Sequence, residues 1–280
     1  MQKKDFLPAV FSGRVVQGRK IGRKLGYPTA NLAPTKDMPD IPYGVYAGWT
    51  SFEEKHYPSM MSFGLAETVG AKDVSFEVCL LGYEGDLYGK DLVVEITVFL
   101  REMKKFNSLE ELALAIKEDE NQARQLLFSN LAKKILDQGY LMSLATQDDG
   151  GLWVSDLVYV YDDDFTVYWL SRQDARHSQA ILQNPQAAAA ITVESTIRGN
   201  DAGFQIAGKA EKLEGDMFEI AVKQRIKRGK EPPVKGEKIL GKGESWYCLK
   251  PEKMEIIYKP YFGFEKQELK LQSPSIDKQS

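Results

Sequence analysis

Two small polar residues lie close together after a glycine-rich run. The stretch LGYPTANL at 25–32 carries Thr29 and Asn31 two positions apart, so an extended backbone places both side-chain oxygens on one face. Neutral oxygens of this kind suit Mg²⁺, and the preceding glycines would let backbone N–H groups approach a phosphate. A magnesium-nucleotide site would use Gly22, Arg23, Lys24, Gly26, Thr29 and Asn31. Taken alone, these residues are equally well explained by a glycine-rich hairpin followed by a proline turn.

A longer pattern around these residues resembles a protein family. The spacing G-x-x-x-G-R-x-L-G-x-P-T-A-N at 18–31 is similar to the fingerprint of bacterial riboflavin kinases. The match continues in order through PYGVYAG at 42–48, FEVCLLGYEGDLYGKDL at 76–92 and LREMKKFNSLEELALAIKEDENQAR at 100–124. The resemblance implies a six-stranded antiparallel barrel with a terminal helix, in which Thr29 and Asn31 hold magnesium-nucleotide. It also implies a reaction, phosphoryl transfer from ATP to riboflavin to give FMN and ADP.

Glu77 is the catalytic base that this resemblance implies. Alternation along the strand from Phe76 to Leu80 places its carboxylate opposite the apolar face. A carboxylate there can accept the proton of the ribityl hydroxyl while magnesium offsets charge on the γ-phosphoryl group. Without the surrounding motif, a solvated strand carboxylate would be the simpler interpretation.

Two departures from the riboflavin kinase pattern change the expectation. Family members usually show a segment like G-V-A-N-I-G-x-x-P-T, which helps to close over the flavin, whereas this chain has SMMSFGLAET at 59–68. Ser62 and Glu67 stand in place of Asn and Pro, which predicts altered flavin affinity or specificity. The motif also begins within the first 20 residues, without the adenylyltransferase domain that often precedes it. We therefore expect FMN but not FAD as a product.

A second candidate site lies in SRQDARHSQAILQNP at 171–185. The pattern predicts a strand end and then a short helix, with Asp174 as its N-cap and an Asn-Pro pair as its stop. Arg176 and His177 then fall in the first turn, where cations oppose the helix dipole. A bound phosphate would remove this conflict, because helix N-termini and arginine both suit phosphate. Two solvated surface residues are the alternative interpretation.

The second half of the chain, from Asn130 to about Leu269, resembles the flavin-binding split barrels of the pyridoxamine 5'-phosphate oxidase-like superfamily. The resemblance rests on the order of LATQDDGGLWVSDLVYVYDDDFTVYWLS, ARHSQAILQNPQAAAAITVE and GFQIAGKAEKL. It implies a homodimer with FMN in the cleft between the subunits and the pair Arg176 and His177 on the FMN phosphate. His177 replaces a lysine of the oxidases, so its phosphate contact would depend on pH. The FMN-binding residues implied are Trp153, Val154, Ser155, Asp156, Ser171, Arg176, His177 and Gln205.

The periodicity of the chain predicts the elements that position these residues. Period-two apolar runs broken by Gly and Pro between Phe11 and Leu100 indicate an antiparallel sheet or small barrel. Ser108 then begins an amphipathic helix as its N-cap, with Glu111 as capping-box partner, and a second helix is predicted at Leu131 to Gln138 before strands resume. We expect a mainly β protein with a riboflavin kinase domain at 1–127, an FMN-binding split β-barrel at 128–268 and a flexible tail at 269–280.

Composition limits the partners and the compartment. The 280 residues carry 37 basic and 40 acidic side chains, a net charge of −3, so no global positive field attracts nucleic acid or anionic lipid. Cys79 and Cys248 are far apart and form no zinc or disulfide pattern, and no apolar run suits a signal peptide or membrane span. We expect a cytoplasmic protein that binds neither nucleic acid nor membranes. The basic stretch 223–238 is typical of a solvated helix and loop, and the aromatic residues from Tyr258 to Phe264 are typical of a C-terminal core.

Together these patterns predict a bifunctional flavin protein. The first domain would make FMN from riboflavin with ATP and Mg²⁺. The second would use FMN for redox chemistry, with a nicotinamide cofactor as a candidate reductant, so that the product of one domain is the cofactor of the other. One alternative is that the second domain only binds, stores or delivers FMN. Another is that both sites have become regulatory flavin sensors.

Overall fold

The computed structural model describes residues 7–18, 21–35, 38–65, 74–193 and 201–271, without the side chains of Ile21 and Lys24. The chain divides into two compact units after Asn130. Part of the segment 59–68, which the resemblance to riboflavin kinases predicts to close over the flavin, lies outside the described residues, namely residues 66–68 with Glu67. Residues 272–280 of the predicted tail also lie outside them.

The first unit is built on a closed antiparallel barrel. Its six strands are β1 Ala9–Val16, β2 Ala30–Leu32, β3 Gly44–Phe52, β4 Lys55–Leu65, β5 Val74–Leu80 and β6 Asp91–Arg101. Around the barrel they pair in the order β1-β2-β5-β4-β3-β6, and every pairing is antiparallel. One helical turn, α1 at Ile21–Lys24, separates β1 from β2 along the chain. The six-stranded barrel predicted from the sequence is confirmed.

Alternating side chains fill the interior of this barrel. In β6 the residues from Leu92 to Ile96 alternate between buried and more exposed positions. Phe11 of β1 meets Phe76 of β5 edge to face, with ring centroids 4.7 Å apart. A one-residue slip of β5 would turn Phe76 outward and bring Glu77 into this core. The core therefore fixes the register in which β5 presents Glu77.

One long helix, α2 at Leu109–Gln138, follows the barrel. Ser108 is its N-cap, because its hydroxyl accepts a hydrogen bond from the Glu111 backbone N–H at 3.1 Å. The predicted N-cap is confirmed, but the Glu111 carboxylate accepts its hydrogen bond from the Asn107 N–H, at 3.0 Å, and not from the Ser108 N–H as the predicted capping box requires. The prediction of two separate helices was wrong. The connecting residues 128–130 include neither Gly nor Pro, so nothing in the local sequence stops the helix.

The second unit contains an open antiparallel sheet. Its strands are β7 Leu141–Asp148, β8 Gly151–Val158, β9 Val160–Tyr161, β10 Val167–Arg172, β11 Gln186–Val193, β12 Ala202–Leu213, β13 Glu244–Tyr258 and β14 Gln267–Glu268. They pair in the order β8-β7-β11-β12-β13-β10-β9, with β14 beside β13. The helices of this unit after α2 are α3 Arg176–Gln183, α4 Phe218–Lys227 and α5 Lys259–Phe262. In the described part of the chain, no helix combines the length and the apolar character needed to cross a bilayer.

Large aromatic residues form the core of the second unit. Trp169 of β10 and Tyr247 of β13 are partners in the ladder, are fully buried and stack with ring centroids 5.9 Å apart. Their neighbour Trp246 belongs to a separate buried cluster that includes α4. The predicted C-terminal aromatic core is wrong for Phe264, which is 90% exposed. This residue follows the turn at Gly263 that ends α5, so it does not continue the buried pattern of β13.

Lys227, at the end of α4, couples the stability of the second unit to pH. Its ammonium group lies 3.6 Å from the centroid of the Tyr159 ring and donates a hydrogen bond to the Leu136 carbonyl. Burial lowers the pKa of Lys227 from 10.5 to about 8. Between these two values the unfolded chain binds more protons than the folded chain, so stability rises as the pH rises.

We expect this effect to appear in the thermal unfolding of the wild type and of Lys227→Met from pH 7 to pH 10. The methionine has a similar length and no charge, so the two proteins share the other titrating groups. The unfolding midpoint of the wild type should rise with pH relative to that of the variant, mainly above about pH 8. A difference between the two midpoints that stays constant over this range would contradict the lowered pKa.

Candidate functional site

The candidate site of the first unit forms where β2 lies between β1 and β5. Asn31 pairs directly with Glu77 in the ladder between β2 and β5. Thr29, just before β2, donates a hydrogen bond from Oγ1 to Glu77 Oε2 at 2.8 Å. The structure thus brings together the residues that the sequence proposes for magnesium-nucleotide binding and for proton transfer, although they come from separate parts of the chain.

The glycines of the motif take different roles. Gly18 packs so closely on Asn31 that a Cβ at this position would come within 1.9 Å of Nδ2. Gly26 has a φ of +84°, a conformation that L residues rarely adopt. Gly22 lies in the helical turn α1, and its carbonyl accepts a hydrogen bond from the Tyr27 N–H at 2.9 Å. The motif is therefore a compact turn that supports Thr29 and Asn31. The side chain of Lys24, which the sequence proposes for nucleotide binding, lies outside the described residues.

A cavity of about 300 Å³ borders Thr29 and Glu77. Most of its wall is apolar and is formed by Leu25, Val45, Met60, Met61, Met103, Phe106, Leu112 and Ile116. Its other charged residues are Lys104, Arg101 and Asp119, and the last two form two parallel hydrogen bonds with N–O distances of 2.8 and 2.7 Å. An apolar cavity with a few convergent polar groups is the usual form of a small-molecule site.

A smaller cavity, of about 60 Å³, also borders Thr29. Its wall contains Arg23 from the glycine-rich motif, together with Tyr83, Asp86 and Tyr88 from the loop after β5. The Asp86 carboxylate accepts a hydrogen bond from the Tyr88 N–H at 3.0 Å, which shapes this loop. Because Thr29 lines both cavities, they meet at the residue that contacts Glu77.

Helix α2 is tied to the glycine-rich motif through Glu120. The Tyr27 hydroxyl donates to Glu120 Oε2 at 3.0 Å, and Arg124 Nε donates to Glu120 Oε1 at 2.9 Å. Burial raises the pKa of Tyr27, and the contact with Glu120 raises it further. The phenol therefore remains a hydrogen-bond donor at neutral pH. The sequence proposals missed Tyr27 and Glu120, and also the ion pair at the larger cavity. The similarity of residues 100–124 to the kinases was the available signal, but it did not show which charged side chains turn toward the cavity.

The residues proposed for FMN binding in the second unit fall on two faces of the sheet. Alternation along β8 places Trp153 and Ser155 on one face and Val154 and Asp156 on the other. Val154 lines a shallow depression together with Gln205. The Asp156 carboxylate accepts a hydrogen bond from Ser143 Oγ at 2.6 Å on the same face. The fold of the chain therefore does not bring all eight proposed residues to one surface.

His177 is buried between two of the proposed serines. Its Nδ1 lies 3.1 Å from Ser155 Oγ, and its Nε2 lies 2.8 Å from Ser171 Oγ. Burial lowers the pKa of His177, so the ring is neutral at pH 7. Both ring nitrogens are engaged by serine hydroxyls, and the histidine links α3 to β8 and β10.

Arg176 lies beside the turn between β7 and β8. Its Nε and Nη2 donate to the two carboxylate oxygens of Asp148, both at 2.8 Å. The central carbon of its guanidinium group lies 4.6 Å from the centroid of a Trp153 ring. Arg176, the proposed ligand of the FMN phosphate, therefore contacts Trp153, which belongs to the strand proposed to lie along the flavin.

The start of α3 differs from the sequence prediction. Asp174 is not the N-cap, because the helix begins after Ala175 and has no side-chain cap. Asp174 instead accepts two hydrogen bonds from Arg172, at 2.8 and 2.6 Å, so its carboxylate is turned to that guanidinium group. The predicted end is confirmed at Asn184, which is the C-cap.

Comparison with known proteins gives two matches, one to each half of the chain. Residues 6–127 match the family model described as riboflavin kinase, or flavokinase. Residues 129–257 match the family model described as pyridoxamine 5'-phosphate oxidase. Each model covers less than half of the chain, and the two regions are called below, after the families that they match, the riboflavin kinase domain and the oxidase-like domain. The barrel followed by a half-barrel sheet of the split-barrel type confirms the predicted fold class.

The relatives match part of this chain. The RNA-binding riboflavin kinase RibR of Bacillus subtilis is 33% identical over 111 residues, which are 39% of this chain and 47% of RibR. The bifunctional riboflavin kinase/FMN adenylyltransferase of Escherichia coli K12 is 37% identical over 119 residues, 42% of this chain and 38% of that protein. The chain thus spans less than half the length of these relatives.

Among solved structures, the heme storage protein HutZ of Vibrio cholerae is 17% identical over 46% of this chain and 92% of HutZ, with a TM-score of 0.35. So distant a likeness assigns no function to the oxidase-like domain.

Proposed function

We propose that the riboflavin kinase domain transfers the γ-phosphoryl group of ATP to riboflavin and releases FMN and ADP. The observation that carries this proposal is the meeting of two cavities at Thr29, beside the Glu77 carboxylate. The larger and mainly apolar cavity suits a flavin ring. The smaller cavity, next to Arg23, suits the phosphates of a nucleotide. The hydroxyl to be phosphorylated and the phosphoryl donor then meet beside a carboxylate.

The oxygen donors at this site fit magnesium in the company of a nucleotide. Thr29 and Asn31 offer neutral oxygens, and no group of three or more His, Cys, Asp or Glu side chains in the described ranges could hold a metal ion. Mg²⁺ commonly takes few protein ligands and completes its shell with phosphate oxygens and water. The absence of a side chain at Gly18 leaves the space in which the Asn31 amide lies. When bound, the ion supplies charge compensation on the transferring phosphoryl group.

Glu77 is the group placed to accept the proton of the ribityl hydroxyl. Thr29 Oγ1 holds Oε2 of this carboxylate, and Ser75 Oγ lies 3.5 Å from Oε1, so two hydroxyls orient it. As the substrate oxygen bonds to the γ-phosphorus, its proton passes to Glu77 and the bond to ADP breaks.

For the oxidase-like domain we propose FMN binding, with FMN-dependent redox chemistry as its function. Storage or delivery of FMN without turnover is the second candidate. Arg176 in contact with Trp153 supports the first part, because an arginine suits a phosphate and an aromatic ring suits a flavin edge or face. Bound FMN supplies electron or hydride transfer, and a nicotinamide cofactor is a chemically suitable reductant.

Product analysis tests the kinase proposal directly. Protein incubated with riboflavin, ATP and Mg²⁺ should form FMN and ADP in equal amounts, which chromatography separates. Absence of FMN under these conditions would contradict the proposal.

A second experiment tests the oxidase-like domain, in which the FMN-loaded protein is mixed with NADH or NADPH without oxygen. Bleaching of the flavin absorbance supports redox chemistry, whereas retained but unreduced FMN favours storage or delivery.

We propose that the oxidase-like domain forms a homodimer through one face of its sheet. The support is an exposed surface of small apolar residues, with Ala188 and Ala190 of β11 beside Val154, which is 60% exposed. Light scattering should give twice the chain mass of 31.6 kDa. Ala190→Arg should give monomers, because the interface would bury an unpaired charge. Glu118→Arg, on the exposed surface of α2, is the control and should leave the mass unchanged. A monomeric wild type would contradict the proposal.

A further inference from the structure

The guanidinium group of Arg176, proposed above to hold the FMN phosphate, already has a carboxylate partner. Asp148 accepts both of its hydrogen bonds at 2.8 Å and has only 17% of its side chain exposed. The same carboxylate accepts a hydrogen bond from the Gly150 N–H at 2.9 Å. By contrast, Asp174 in the neighbouring pair with Arg172 is 67% exposed. Asp148 is thus held in place by the turn between β7 and β8 as well as by Arg176.

The remaining surface of this guanidinium group is restricted. Trp153 lies against it at 4.6 Å, and Gly150 is so close that a Cβ there would lie 2.9 Å from Nη2. An incoming anion has two routes to Arg176. It can replace Asp148 on the edge formed by Nε and Nη2, which breaks two charge-assisted hydrogen bonds. It can also bind at the Nη1 end, where the nearby carboxylate repels it. Both routes lower the affinity for an anion.

We propose that Asp148 is a specificity residue that competes with the phosphate of FMN for Arg176 and keeps bound FMN exchangeable. This inference rests on the proposed binding of FMN by the oxidase-like domain. A phosphate monoester carries up to two negative charges and three strong acceptor oxygens, so it can take the place of a carboxylate. Riboflavin has no phosphate and therefore neither competes with Asp148 nor gains from its removal.

The charge of Asp148 persists under ordinary conditions. The hydrogen bonds from Arg176 hold the pKa of Asp148 below its usual value, so the carboxylate stays ionised at neutral pH. Its negative charge then opposes a phosphate whether the phosphate displaces it or binds beside it. FMN held against this competition dissociates faster than FMN held by an unpaired arginine, which suits a domain that passes FMN on.

Flavin fluorescence, measured on the full chain without ATP, tests this inference. Asp148→Asn keeps the shape of the side chain and an acceptor for the Gly150 N–H but removes the charge. We expect it to bind FMN about tenfold more tightly, mainly through slower dissociation, and to bind riboflavin as the wild type does. Asp149→Asn is the matched control, because it removes an exposed charge from the next position of the same turn and should change FMN affinity less than about twofold. The riboflavin kinase domain is identical in all these proteins, so differences report on the oxidase-like domain.

The possible results distinguish a failure of this inference from a failure of the proposed FMN phosphate site at Arg176. If Arg176→Ala weakens FMN binding but Asp148→Asn does not strengthen it, the inference fails and the proposed phosphate site stands. If Arg176→Ala leaves FMN binding unchanged, the phosphate site fails and the inference with it. An equal gain in Asp149→Asn and Asp148→Asn would assign the effect to net charge and would also overturn the role of Asp148. Tightening in Asp148→Asn alone, confined to FMN, supports it.

Discussion

Glu77→Gln should lower the turnover of riboflavin by about 10²- to 10⁴-fold, the usual size of a general-base contribution. The amide keeps the shape of the carboxylate and can still accept the hydrogen bond from Thr29 Oγ1. It cannot take up the proton of the ribityl hydroxyl, so the loss should appear in kcat. Nucleotide affinity should change little, because Thr29, Asn31 and the glycine-rich motif are intact. Rates of FMN formation and calorimetric titration with a non-hydrolysable ATP analogue measure the two quantities separately.

A matched control for this variant is Glu118→Gln, which makes the same chemical change on the exposed surface of α2. Its turnover should equal that of the wild type. Near-normal turnover of Glu77→Gln would exclude this carboxylate as the base. A loss of nucleotide binding as large as the loss of turnover would instead indicate that Glu77 acts by holding Thr29.

Arg176→Ala should weaken FMN binding by the oxidase-like domain by about 10- to 100-fold, because hydrogen bonds between charged groups contribute about 1.5–3 kcal/mol. The variant removes the donor proposed for the phosphate and the cation that lies against Trp153. Riboflavin kinase turnover should be unchanged, because the substituted residue belongs to the other compact unit. Equilibrium titration with FMN and the rate of FMN formation check these two expectations.

Arg172→Ala provides the comparison for this prediction. Arg172 forms the same kind of paired hydrogen bonds with Asp174, four residues earlier in the chain than Arg176. Its loss removes a guanidinium–carboxylate pair from the same region without touching the proposed phosphate ligand. FMN affinity should therefore stay near the wild-type value. Similar losses in both arginine variants would show that local disruption, and not phosphate binding, causes the effect.

Local patterns in the chain predicted much of the first domain. Alternation from Phe76 to Leu80 indicated which way Glu77 faces, and the paired strands show the same register. The N-cap at Ser108 was predictable because capping depends on residues within one helical turn. The predicted break before Leu131 failed for a related reason: no Gly or Pro lies there, and the change of pattern was not itself a stop signal.

The periodicity of the sequence therefore indicated an antiparallel sheet or small barrel, and the resemblance to known families implied the six-stranded barrel, the roles of Thr29, Asn31 and Glu77, and a flavin-binding split barrel in the second half. These features depend on short-range periodicity and on motifs that are contiguous in the chain. The contacts between charged groups depended on long-range packing. Asp148 and Arg176 are 28 positions apart, and no local pattern distinguishes Asp148 from its neighbour Asp149. Their pairing arises because the turn between β7 and β8 comes to lie beside the start of α3, and that arrangement depends on the packing of the whole sheet.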